Sequence, residues 1–166
     1  MAKEYTFSAG DFVVYPTHGV GKVLSITKDK IAGQELELIA VHFDKDRMIL
    51  RVPMTKAKNS GLRKLSNRSV IDNALNILRS KTKVKRTMWS RRAQEYEMKI
   101  NSGDPLSIAE VVRDLYRSDA QADQSYSERQ IYEQAFDRLV TELAAVDKID
   151  PASAADKLTG ILKAAA

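Results

Sequence analysis

The sequence predicts an α+β chain of two domains, a small antiparallel β-barrel over residues 1–64 and a compact all-α bundle over residues 65–166. Three observations carry this expectation. Apolar residues alternate with period two up to about residue 64 and recur at helical spacing after residue 65. The connectors of the first half carry turn residues, as hairpins require. Helix-opening signals recur through the second half, notably two Asp-Pro pairs.

The strands come in order. Residues 11–15 contain FVVY. Residues 20–27 (VGKVLSIT) alternate, with Val20, Lys22, Leu24 and Ile26 on one face and Gly21, Val23, Ser25 and Thr27 on the other. Residues 35–43 (ELELIAVHF) and 48–52 (MILRV) follow. Pro16 with Gly19, Ala32-Gly33-Gln34, and Asp44-Lys45-Asp46 separate these runs. Short strands joined by hairpins within so few residues close most economically as a small barrel. The domain boundary is expected near Asn59-Ser60-Gly61.

The helices follow. Val70, Ile71, Ala74, Leu75 and Leu78 form one apolar stripe. Trp89, Ala93, Tyr96 and Ile100 form a second, with Thr87 as its expected N-cap and Asn101-Ser102-Gly103 at its end. Asp104 and Pro105 open a third helix carrying Ile108, Val111, Val112 and Leu115. Ser127 with Gln130 reads as a capping box ahead of Ile131, Ala135, Leu139 and Leu143. Asp150-Pro151 opens the last helix, with Leu158, Ile161 and Leu162.

Composition narrows the function. The 166 residues are 43% hydrophobic and include no cysteine, which excludes a disulfide framework, a zinc ribbon and a thiol nucleophile. The opening MAKEYTFSAG has no apolar stretch of a secretory signal, and no run is long enough to span a bilayer, so a cytoplasmic protein without a membrane partner is expected. The net charge of +5 is unevenly spread. Residues 67–104 hold 9 Lys/Arg against 4 Asp/Glu, and residues 105–166 hold 7 against 11. From Arg79 to Arg92 there are seven basic residues and no acidic one. Such a run is either a solvated helix entrance or a surface for a polyanion.

At the end of that run stands VKRTMWSRR, residues 84–92, which holds the only tryptophan. Two readings of Trp89 follow from its position. As head of the stripe continued by Ala93, Tyr96 and Ile100, it is a core residue. As a first-turn residue among Lys85, Arg86, Arg91 and Arg92, it is an apolar wedge or stacking ring held beside phosphates.

No catalytic constellation is legible. His42 lies in a strand and His18 in the turn Pro16-Thr17-His18-Gly19, and no carboxylate motif joins them into a metal site. HGVGK lacks the spacing and the Ser/Thr of a phosphate-binding loop. No cofactor and no enzymatic activity are expected.

Two stretches together resemble a known family. GDFVVYPTHGVGKV (10–23) is similar to the opening of the CarD/CdnL family of bacterial RNA polymerase-binding transcription regulators. WSRRAQEYEMKINSGDPLSIAEVVRDLYRSD (89–119) resembles that family's C-terminal helices through its WSRR, SGD and AEVVRDL blocks, and RVP (51–53) resembles the end of the N-terminal domain. The resemblance implies a Tudor-like (SH3-like) barrel over 1–64 that binds the RNA polymerase β subunit, by strand addition to an exposed edge. It implies a helical domain over 65–166 that contacts promoter DNA at the upstream fork of the bubble and stabilises the open complex. Arg51 matches the family's polymerase-contacting arginine, and a second contact region falls on Lys28, Lys30 and Ile31, where Asp29 replaces an arginine of other members. Trp89 matches the family's minor-groove wedge, and Arg91 and Arg92 match its phosphate-contacting pair. Gln94 and Ser118 stand where some relatives carry basic residues, and the charge pattern adds Lys85 and Arg86 as further phosphate contacts. Contacts of this kind position DNA without reading bases. The protein is then expected to be a monomer, associated with the nucleoid through polymerase. Two alternatives are a Tudor/KOW-like module that binds RNA or a protein partner without promoter contact, and a scaffold whose helical half binds protein alone.

Overall fold

Alternation through the first half builds a sheet, and helical spacing through the second builds a bundle. The computed structural model describes residues 7–16, 18–43, 47–57, 61–81, 88–116 and 125–165. It divides into two compact units, Met1–Leu65 and Ser66–Ala166.

The first unit contains β1 (Phe12–Tyr15), β2 (Gly19–Ile31), β3 (Gln34–Phe43), β4 (Met48–Pro53), the short helix α1 (Met54–Ala57) and β5 (Arg63–Lys64). The sheet is antiparallel, in the order β4-β3-β2-β1-β5, so β4 and β5 are its edges. Its core is built from Val13, Val23, Ile39, Val41, Phe43 and Val52. Gly21 lies opposite Val13, and a Cβ there would stand 2.6 Å from Val41 and 2.8 Å from the Phe43 ring. Glycine is what lets the core side chains close over β2. Ala32 and Gly33 form a two-residue hairpin loop with φ of 55° and 80°, the doubly left-handed conformation that suits the strand twist. The turn before β2 is closed by His18, whose backbone N–H donates to the Tyr15 carbonyl at 3.0 Å while its ring stacks on Tyr15.

One strand departs from the expected alternation. Val23 pairs with Val41 but Ser25 pairs with Ala40, so β2 carries an extra residue between them. The bulge reverses the phase of the strand. Leu24 is pushed outward and is 46% exposed, whereas Ile26, expected on its face, packs against the same core as Val23.

The second unit contains α2 (Arg68–Arg79), α3 (Trp89–Asn101), α4 (Pro105–Leu115), α5 (Tyr126–Asp147) and α6 (Pro151–Ala165). The apolar α4 is central and packs on α2, α3 and α5, and α6 closes against α2 and α5. Ile108, Val111, Val112 and Leu115 are all buried, as their spacing requires. Asp104 caps α4 as its sequence predicts, its carboxylate accepting the Leu106 N–H at 3.1 Å.

Two expected caps are corrected. The N-cap of α5 is Ser125, which accepts the Glu128 N–H at 3.2 Å, two residues before the expected Ser127. Ser-x-x-Glu at 125–128 fits the capping-box pattern at least as well, and the helix starts there. The N-cap of α3 is Met88, with no side-chain cap bond, in place of Thr87, which lies outside the described residues. At the entrance to the unit, buried Glu142 on α5 accepts both the backbone N–H and the hydroxyl of Ser66, at 3.1 and 2.7 Å. That satisfies a carboxylate which burial would otherwise penalise.

Candidate functional site

Of the helical candidates, Trp89, Arg91 and Arg92 lie in the first turn of α3. Burial deepens along the Trp89, Ala93, Tyr96, Ile100 stripe: Trp89 and Ala93 are partly buried, and Tyr96 and Ile100 are buried. Trp89 packs against the helical core. Its Nε1–H donates to the hydroxyl of Ser127, in the first turn of α5, at 2.7 Å. Its ring lies 6.3 Å from that of Tyr96. Trp89 therefore heads a core stripe, as its spacing predicts, and is only partly buried.

Helix geometry separates the two arginines. Arg92 lies three residues after Trp89 and four before Tyr96, on the same face. Its guanidinium carbon stands 5.5 Å from the Trp89 ring centroid and 5.7 Å from that of Tyr96, and Nη2 donates to the Tyr96 hydroxyl at 3.2 Å. Its Nε is buried and has no hydrogen-bond partner among the described residues. Arg91 lies off that face and is exposed, as is Gln94. The pair read as equivalent in the sequence is thus one outward cation and one folded onto aromatic rings. Met88, 78% exposed, precedes them. Lys85, Arg86 and Ser118 lie outside the described residues.

Sequence reasoning missed Ser127 as the partner of Trp89. The two residues are 38 positions apart, and the local pattern assigned Ser127 to capping. Only tertiary structure brings them together.

In the sheet unit, Arg51 is exposed on the edge strand β4, opposite Ala40. Alternation along β3 puts Leu36 on the face of Ala40, and Leu36 lies opposite Asp29. Lys28 and Lys30 are exposed but lie opposite Glu37 and Glu35, on the other face. Each lysine there has a carboxylate directly across, an arrangement that favours intramolecular charge pairing. Ile31 ends β2 beside the hairpin loop. The structure therefore does not bring Arg51 and the two lysines to one face. Among the described residues, no helix is long and apolar enough to cross a membrane.

The chain thus joins a hairpin-built sheet unit to a helical unit in which Trp89, Arg91 and Arg92 open one helix, and comparison with known proteins supports a transcription factor of the CarD type. Residues 7–66 match the CarD-like/TRCF RID domain family, and residues 73–159 match the CarD C-terminal domain family. The chain belongs to the CarD (CarD/CdnL) family. It is 25% identical over 143 residues to YdeB of Bacillus subtilis (strain 168), a protein assigned on provisional grounds to the transcription factors; the match covers 86% of this chain and 94% of YdeB. It is also similar to the solution structure of the 72-residue N-terminal domain of Myxococcus xanthus CarD, at 36% identity and a TM-score of 0.32, over 36% of this chain and 79% of that domain.

Proposed function

We propose that this protein is a transcription regulator that binds the β subunit of RNA polymerase through residues 1–64, contacts promoter DNA at the upstream fork through residues 65–166, and so stabilises the open complex. The observation that carries this reading is the occurrence of both CarD-family domains, in order, in one chain. Each domain supplies chemistry suited to its part. The edge strand β4 leaves one row of backbone groups outside the sheet, and strand addition there needs few side chains. Arg51, exposed on that strand, pairs in this reading with a carboxylate of the partner, and a guanidinium holds such a pair in fixed geometry. The region of Lys28, Lys30 and Ile31 contributes at the far hairpin, with its lysines balanced by Glu37 and Glu35.

On the helical domain, Trp89 offers a flat ring for an opened base step. Arg91, with Lys85 and Arg86 before it in the chain, supplies phosphate contacts, and Arg92 acts mainly by bracing the ring. DNA affinity is weak by itself, and tethering to polymerase makes the second contact effectively intramolecular. The open promoter is then favoured by the difference in affinity between open and closed states.

The test is crosswise. Arg51→Glu is expected to weaken binding to purified polymerase by about tenfold or more, the scale of ~1.4 kcal/mol, while leaving the fold unchanged by circular dichroism. Trp89→Ala is expected to bind polymerase as the wild type does. Wild-type binding by the Arg51 variant would remove the polymerase assignment from this strand.

A further inference from the structure

We propose that Ser127 is a positioning residue that sets the pose of Trp89 for its contact with DNA. The inference rests on the promoter reading above. Trp89 is the first residue of α3; among the described residues no side chain caps that helix, and its first turn carries the backbone bonds of Arg91 and Arg92 to the Met88 carbonyl. Besides its packing on the helical core, the ring meets few groups that fix its orientation. Three tertiary or cross-turn contacts act on it: Nε1–H on the Ser127 hydroxyl at 2.7 Å, the Arg92 guanidinium 5.5 Å from its centroid, and the Tyr96 ring at 6.3 Å. Only the first is directional at an edge of the indole, which is a donor and never an acceptor. The other two, and the packing of Trp89 on the helical core, act on the ring without engaging its N–H.

Ser127 is not needed to build α5, because Ser125 already caps that helix. Its hydroxyl is exposed in the first turn of α5, 38 residues from Trp89, and it ties the heads of two helices together through the indole. A wedge that must enter an opened base step gains from being held in one orientation before contact, since the ordering cost is then met on folding.

The test uses the full chain with purified polymerase and a promoter whose open complex decays measurably. Ser127→Ala is expected to red-shift Trp89 emission and to raise its acrylamide quenching constant; as the sole tryptophan, Trp89 gives an unambiguous signal in the free protein. The same variant is expected to shorten open-complex lifetime about fivefold, the equivalent of one net hydrogen bond. Trp89→Phe keeps a ring but removes the donor, so adding Ser127→Ala to it produces no further loss. Unchanged emission or unchanged lifetime in Ser127→Ala, with Trp89→Ala still deleterious, would overturn the positioning role and leave the promoter reading intact. An equal loss from Ser127→Ala in the Trp89→Phe background would overturn it too, because the effect would not pass through the indole N–H. If Trp89→Ala itself leaves the lifetime unchanged, the promoter reading fails and the role of Ser127 fails with it.

Discussion

Replacing Arg92 by alanine separates stability from DNA contact at the head of α3. The guanidinium approaches two aromatic rings, at 5.5 and 5.7 Å, and each such contact is worth about 0.5–1 kcal/mol. The bond from Nη2 to the Tyr96 hydroxyl adds about 1 kcal/mol. Against this, the buried Nε, without a partner among the described residues, costs about 1 kcal/mol, which the substitution returns. The net loss expected for Arg92→Ala is about 1–2 kcal/mol. Arg91 is exposed, and its replacement by alanine should change stability by less than about 0.5 kcal/mol. In a helical unit of this size, the Arg92 loss lowers the melting temperature by on the order of 5–10 °C. Thermal unfolding followed by Trp89 emission reads the affected site directly. Arg92→Lys should not rescue stability, because an ammonium cannot lie flat on two rings. Equal melting temperatures for the Arg91 and Arg92 variants would show that the Arg92 guanidinium adds nothing to the packing of Trp89 and Tyr96.

Three further outcomes follow from the packing. Gly21→Ala places a methyl 2.6 Å from Val41 and 2.8 Å from Phe43, both fully buried, and should destabilise the sheet unit by about 1–3 kcal/mol in a denaturant titration; a neutral result would contradict the close packing over β2. Ala32 adopts φ 55°, which asparagine tolerates better, so Ala32→Asn should raise stability by about 0.5–1 kcal/mol, and a drop would contradict the turn assignment. Burial, and secondarily the neighbouring Tyr116, push the Tyr132 phenol up to about 12. The folded state thus holds this proton more tightly than the unfolded chain, so its contribution is present below pH ~10 and lost as pH rises from ~10 to ~12. With allowance for partial solvent exposure, wild type should lose on the order of 1 kcal/mol more than Tyr132→Phe over that interval.

Periodicity was enough to read both units, and its failures have identifiable causes. The alternation of β2 was legible up to Val23, but a bulge adds a residue without leaving a mark in composition, so Ile26 was placed on the wrong face. The α5 cap was misplaced because Ser125 and Ser127 both suit an N-cap, and spacing alone does not choose between them. The Trp89 stripe and the basic run were plain in the chain, as was the α4 opening at Asp104-Pro105. The sequence did not show that Arg92 turns onto Trp89 and Tyr96, because WSRR reads as two equivalent cations until helix geometry puts one over the rings. Nor did it show that Arg51 and Lys28 lie on opposite faces, since that depends on the pairing of three strands.

The measurement that bears most directly on the central claim is the decay of a promoter open complex after competitor challenge, with polymerase alone, with the wild-type protein and with Trp89→Ala. Favouring the open promoter by ~1.4 kcal/mol or more, part of the cost of unstacking one base step, corresponds to about tenfold or more. The wild-type protein is expected to slow decay by about that factor, and Trp89→Ala, bound to polymerase as tightly, to slow it little or not at all. Equal protection by the wild type and Trp89→Ala, or no protection by either, would contradict that expectation.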